Sequence, residues 1–183
     1  LLFPGVNVVE NLPAIEDVHL LEAIFRHMGA DVEFDGEKMR IDATRFDPRA
    51  DFELVRGMRA SYYLLGAMLG RFGRAEVALP GGCDIGLRPI DLHVKGMEAL
   101  GATVTLDEAR GVLLAQAPNG LHGTDIYLDF ASVGATINIL LAASCAEGQT
   151  VLVNAAKEPH VVDVANFLNC MGATVRGAGT DVI

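Results

Sequence analysis

Apolar positions along the chain change period three times in the same order. Val6–Asn11 reads as a short strand, a turn containing Pro13 follows, and a helix then runs to Met28-Gly29-Ala30. Two more strands are predicted at Asp31–Phe34 and Lys38–Asp42, then a second helix at Ala60–Phe72. The pattern restarts with a strand at Ala75–Leu79, a turn at Pro89, a helix to Leu100-Gly101-Ala102, strands at Thr103–Leu106 and Val112–Gln116, and a helix at Ala131–Glu147. It starts a third time with Thr150–Asn154, Pro159, a helix to Met171-Gly172-Ala173, and strands at Thr174–Arg176 and Asp181–Ile183. Proline suits the first turn of a helix and glycine its end. The three glycines recur at spacings of 72 (29 to 101) and 71 (101 to 172), and Ala60-Ser61 returns as Ala131-Ser132 after 71. Independent markers at one period identify an internal repeat.

The helices differ in how much of their surface is apolar. In the third unit Val161, Val164, Phe167, Leu168 and Met171 fall on one stripe. Ala131–Glu147 is apolar on nearly every face, through Val133, Ala135, Ile137, Ile139, Leu140, Leu141, Ala142, Ala143 and Cys145. Such a helix must be buried all round, which requires sheet on several sides. The expected architecture is therefore α/β, a pseudo-threefold repeat of strand-helix-strand-strand-helix units with sheets outside and helices buried. About two and a half units are present, and Leu1-Leu2 reads as the tail of another second helix. No linker interrupts residues 1–183, which read as a single domain.

Composition narrows the function. Of the 183 residues, 51% are hydrophobic, enough for a sizeable core, and the net charge is −10 with no basic patch, which argues against nucleic acid as a partner. An acidic chain that takes an anionic substrate must do so with a few placed Arg side chains and backbone N–H groups. The most apolar run, Ile137 to Ala146, is interrupted by Asn138 and Ser144 and falls short of the roughly 20 residues that span a bilayer. There is no signal peptide and no initiator Met, so the chain reads as cut from something longer. Cys83, Cys145 and Cys170 show no metal or disulfide spacing, which suits a reducing, cytoplasmic setting with no metal and no cofactor. Cys145 and Cys170 read as buried small hydrophobes.

The strand–helix turn of the second unit departs from the other two. It reads Pro80-Gly81-Gly82-Cys83-Asp84-Ile85-Gly86-Leu87-Arg88-Pro89-Ile90-Asp91-Leu92-His93. Three glycines permit unusual backbone conformations and close approach of a ligand, and Cys83 stands between them. Arg88 presents a planar fork suited to carboxylate or phosphate, or pairs on the surface with Asp84 or Asp91. Asp91 suits the first turn of a helix, and His93, taken alone, reads equally as a packing residue.

These residues resemble the UDP-N-acetylglucosamine enolpyruvyl transferases, also called UDP-N-acetylglucosamine 1-carboxyvinyltransferases. The resemblance covers the whole chain, through Met58-Arg59-Ala60-Ser61, Leu79-Pro80-Gly81-Gly82-Cys83, Arg88-Pro89-Ile90-Asp91-Leu92-His93, Ser132-Val133-Gly134-Ala135-Thr136, Asn154-Ala155-Ala156-Lys157-Glu158-Pro159 and Ala165-Asn166-Phe167-Leu168. It implies an inside-out α/β barrel of the enolpyruvyl transferase type. The implied reaction moves the enolpyruvyl group of phosphoenolpyruvate to the 3-hydroxyl of UDP-N-acetylglucosamine with loss of phosphate, the first committed step of peptidoglycan synthesis. Cys83 then protonates the methylene carbon of phosphoenolpyruvate and is the thiol that fosfomycin alkylates. Arg88 grips both substrates, Arg59 holds the sugar-nucleotide phosphates, and Pro89, Ile90, Asp91, Leu92 and His93 line the uridine site. Phe130, Ala131, Ser132, Val133 and Gly134 form a diphosphate cradle at a helix start, where free N–H groups suit an anion; Ser132 also reads as a plain N-cap.

The chain departs from the family pattern in places. Phe130 stands where many members have Lys. By the resemblance, a Lys-Asn segment precedes Leu1, and the Asp general base and another Arg belong to a second domain of the same protein. The chain is therefore expected to be most of a first domain, without turnover by itself. Three alternatives carry different expectations: the related shikimate-pathway enolpyruvyl transferase, which lacks the Gly-Gly-Cys loop; a non-catalytic sugar-nucleotide-binding paralogue; and a thiol hydrolase using Cys83 with His93. Asp84 works against the last by disfavouring the thiolate.

Overall fold

The computed structural model describes residues 2–49, 54, 55, 58–78 and 90–183, with Arg59 described by its backbone alone. The first unit holds β1 (Val6–Val9), α1 (Glu16–His27), β2 (Asp31–Phe34) and β3 (Met39–Asp42), and a 3₁₀ turn (Arg59–Tyr62) leads into α2 (Tyr63–Phe72). The second holds β4 (Arg74–Ala78), α3 (Asp91–Ala99), β5 (Thr103–Asp107), β6 (Val112–Gln116), β7 (Asp125–Tyr127) and α4 (Val133–Ala143). The third holds β8 (Val151–Val153) and α5 (Pro159–Cys170).

The repeat is visible in both sheets and helix ends. The first two units build the same three-stranded antiparallel sheet, in the orders β1-β3-β2 and β4-β6-β5. Gly29, Gly101 and Gly172 have φ of 95°, 98° and 100°, a conformation that costs glycine little. Each ends its helix with the same pair of bonds. The glycine N–H donates to the carbonyl three residues back, and the next alanine N–H, at Ala30, Ala102 and Ala173, donates five back to Phe25, Met97 and Leu168. This pairing absorbs carbonyls that the last turn would otherwise leave unbonded.

Several expectations need correction. Thr174–Arg176 forms no strand, because the Asn169 side chain holds both backbone groups of Val175, at 2.6 and 2.9 Å. Asp181–Ile183 does lie antiparallel to β8, through the Val153–Val182 bridge and paired bonds between Leu152 and Ile183. β7 was not foreseen; it pairs in parallel with β8 and joins the second unit to the third. A similar joint links the first unit to the second, through the parallel bridge of Arg49 to Glu76. Ala131–Glu147 is helical only over Val133–Ala143, since the Glu147 N–H is drawn out to Leu121 at 2.8 Å. Cys145 and Cys170 are exposed, the first beyond the end of α4 and the second on the outer face of α5. Phe167 also faces out, and Ala165 takes its place on the buried stripe with Val161 and Leu168. Leu2 is not helical but packs on the cluster of Ile137, Leu140, Ala156, Val161 and Leu168.

Helices α2 and α4 occupy the interior. Leu64 through Leu69 are buried in the first, and Ala135 through Leu140 with Ala142 in the second. They cross at Gly66, where an added Cβ would stand 2.2 Å from the Asn138 carbonyl oxygen. The sheets lie around them, each with one face turned inward, as in β3 and β4.

Candidate functional site

Three segments singled out in the sequence converge on one interior residue. α3 begins at Asp91 and buries Leu92 and His93. α4 begins after Ser132, and the 3₁₀ turn begins at Arg59. Gly96 on α3 leaves room for Ile139 of α4, since a Cβ there would come within 2.4 Å of it. Lys95 reaches from α3 to Asp129 at 2.8 Å, tying the helix to the segment that leads into α4.

Asn138, fully buried in the middle of α4, holds all three. Its Oδ1 accepts the Gly66 N–H at 2.6 Å, and its Nδ2 donates to the Tyr62 carbonyl and lies 2.9 Å from His93 Nδ1. The Tyr62 ring is 5.5 Å from the His93 ring. The far edge of the imidazole borders the α4 start: a Cβ on Gly134 would stand 3.2 Å from both Cε1 and Nε2. Burial pushes the His93 pKa down to about 4, so the ring is neutral at neutral pH.

The α4 start is a positive helix end without a carboxylate in its first turn. The Val133 and Gly134 N–H groups have no acceptor within the helix by geometry. Ser132 caps it, its hydroxyl accepting the Ala135 N–H at 3.4 Å and its carbonyl the Thr136 N–H at 2.9 Å. Phe130 and Ala131 are exposed beside it. This arrangement can receive an anion next to a neutral histidine.

The remaining candidates divide. Asp91 is exposed in the first turn of α3 and Ile90 is half-buried. Leu92 packs in the core, so only its backbone could line a surface site. Cys83, Arg88, Pro89 and the Arg59 side chain lie outside the described residues. Sequence reasoning missed Asn138, which stood only as an interruption of an apolar run, and the Lys95–Asp129 pair. A polar residue in a helix that must be buried all round was the available signal. Two hollows lie elsewhere, one lined by Ser144, Gln149, Thr174 and Arg176, the other by Arg45, Asp47, Arg74 and Glu76. Among the described residues no group of three or more His, Cys, Asp or Glu side chains could hold a metal ion, and no helix is long and apolar enough to cross a membrane.

The family model for EPSP synthase (3-phosphoshikimate 1-carboxyvinyltransferase) matches residues 1–183. The chain is 58% identical over 180 residues to UDP-N-acetylglucosamine 1-carboxyvinyltransferase 2 of Clostridium acetobutylicum, covering 98% of this chain and 42% of that protein. It is 56% identical over 181 residues to UDP-N-acetylglucosamine 1-carboxyvinyltransferase of Clostridium botulinum, covering 98% and 43%. The chain thus spans less than half the length of these relatives. Among solved structures, the enolpyruvyl transferase NikO from Streptomyces tendae superposes with a TM-score of 0.83 at 27% identity, over 99% of this chain and 42% of that one. EPSP synthase from Acinetobacter baumannii superposes with a TM-score of 0.71 at 21% identity, over 98% and 41%, which bears on the fold alone. With its inside-out α/β fold and a match along its whole length, the chain belongs to the EPSP synthase (3-phosphoshikimate 1-carboxyvinyltransferase) family, and within it is similar to the UDP-N-acetylglucosamine 1-carboxyvinyltransferases.

Proposed function

We propose that this chain is most of the first domain of a UDP-N-acetylglucosamine 1-carboxyvinyltransferase, acting in the cytoplasm at the first committed step of peptidoglycan synthesis. The observation that carries the reading is the meeting of His93 with the helix start at Gly134, two segments that the family resemblance assigns to the same sugar nucleotide. Relatives of that name at 56–58% identity support the choice over the shikimate-pathway enzyme, as does the Gly81-Gly82-Cys83 loop.

In this reading the helix start and His93 seat the diphosphate, residues 89–93 frame the uridine, and Arg59 and Arg88 supply the positive charge. The Cys83 thiol delivers its proton to the methylene carbon of phosphoenolpyruvate, which makes C2 electrophilic. The sugar 3-hydroxyl oxygen bonds to C2 while a base of the second domain takes its proton. Phosphate then leaves C2, a proton leaves the methyl carbon, and the double bond is restored. A free thiol, with a pKa of about 8.5, is mostly protonated at neutral pH and can act as the acid. The adjacent Asp84 carboxylate favours that form, and Arg88 opposes it.

The test is phosphate release by the intact protein from phosphoenolpyruvate and UDP-N-acetylglucosamine. Cys83→Ala should abolish it, and fosfomycin with the sugar nucleotide present should add its mass to the Cys83 peptide. Release with shikimate 3-phosphate in place of the sugar nucleotide, or full activity of Cys83→Ala, refutes the assignment. The 183-residue chain alone should bind without turning over.

A further inference from the structure

The bonds around Asn138 leave little freedom of assignment. Gly66 N–H can only donate and the Tyr62 carbonyl can only accept, so the amide must place Oδ1 toward Gly66 and Nδ2 toward Tyr62. Reversing it would set donor against donor and acceptor against acceptor, both buried. With Nδ2 as the donor, the His93 Nδ1 atom 2.9 Å away must be the acceptor. A neutral imidazole carries one N–H, and here it has to be on Nε2. That atom is on the ring edge bordering Gly134, at the start of α4.

We infer that Asn138 is a positioning residue that locks His93 as its Nε2–H tautomer, so that the imidazole adds a hydrogen-bond donor to the first-turn N–H groups of α4 for an acceptor oxygen of the sugar nucleotide. Two backbone groups of the 3₁₀ turn and α2 thereby set the proton position on a side chain of α3, with α4 as the relay. The other tautomer would turn a lone pair toward the same anion and repel it. Burial of the ring reinforces the lock by keeping the imidazole neutral. The ligand part of this inference rests on the function proposed above; the tautomer does not.

The experiment is a long-range ¹H–¹⁵N correlation spectrum of the intact protein labelled with [¹⁵N]histidine, with the His93 signals assigned through His93→Gln. The expected spectrum at neutral pH shows His93 protonated on Nε2 and bare on Nδ1. Protonation on Nδ1, or a mixture of the two, overturns the inference without any substrate present. Calorimetric titration with UDP-N-acetylglucosamine tests the consequence. Asn138→Ser should give mixed tautomers and about tenfold weaker binding. Adding His93→Gln to that variant should restore most of the affinity, because a glutamine amide can donate from nearly the same place without a lock. Weakening that Gln does not relieve would make Asn138 merely structural and overturn its positioning role. If Asn138→Ser does not fold, the wild-type spectrum still decides the tautomer, and His93→Gln alone must then bind better than His93→Ala. Failure of the wild-type protein to bind the sugar nucleotide would remove the proposed function while leaving the tautomer to be judged by its spectrum.

Discussion

The packing of α2 and α3 against α4 allows a sharp test, because three helical glycines there differ in what a methyl group would meet. At Gly66 an added Cβ falls 2.2 Å from the Asn138 carbonyl oxygen, 2.3 Å from its Oδ1 and 3.1 Å from its carbonyl carbon. Two of these are backbone atoms and the third is held in a bonded amide, so the helices must move apart by about an ångström to reach ordinary contact. Overpacking of this kind costs about 1–3 kcal/mol. Separation also breaks the 2.6 Å bond from Gly66 N–H to Asn138, leaving buried polar groups short at a further ~1–3 kcal/mol. The higher helix propensity of alanine returns about 1 kcal/mol. Gly66→Ala should therefore lose about 3 kcal/mol. At Gly70 the same methyl finds Cys145 Cβ and the Leu141 carbonyl oxygen at 3.3 Å and Ala142 Cα at 3.4 Å, so a shift of tenths of an ångström suffices. Gly70→Ala should stay within about 1 kcal/mol of wild type. Gly96→Ala meets side-chain rather than backbone atoms, Ile139 Cδ1 and Cγ1 at 2.4 Å, and should fall between the two. Urea unfolding of the intact protein followed by circular dichroism reads the order from the midpoints, provided the slope is unchanged. Gly66→Ala as stable as Gly70→Ala would refute the close crossing and the polar junction built on it.

Thr136→Val should destabilise the protein by about 1–3 kcal/mol in the same assay, because the buried Ala156 N–H donates to the Thr136 hydroxyl at 3.0 Å and valine offers it nothing. The folded-state pKa of His93, about 4, lies below its ordinary 6.5, so the unfolded chain takes up a proton that the folded one refuses. Stability from this group is complete above pH 6.5 and is lost as pH falls toward 4. Relative to His93→Gln, the wild type should lose about 3 kcal/mol across that window, and a difference independent of pH would contradict a buried neutral imidazole. Gly134→Ala should weaken UDP-N-acetylglucosamine binding by calorimetry with little change in melting temperature, because its methyl would crowd the Cε1–Nε2 edge of His93 at 3.2 Å; unchanged affinity would separate that edge from the nucleotide site.

The order of elements, the period near 71, the glycine stops and the burial of α4 were all legible along the chain. Each depends on local chemistry: a backbone conformation that only glycine adopts cheaply, a proline at a helix start, or a helix with no polar face to give to water. That His93 would meet Gly134 could not be read from periodicity, since nothing in it says which helix starts lie side by side. Tertiary structure decided the rest. Thr174–Arg176 has strand character but its backbone is taken by Asn169, and β7 exists because β8 lies beside it. Cys145 and Cys170 belong to apolar stretches yet face outward, because a helix ending or a helix face is set by what packs against it. Asn138 shows the limit most plainly. Its three partners stand at positions 62, 66 and 93, and only their meeting in space turns a polar interruption into a bonded junction that orients a histidine.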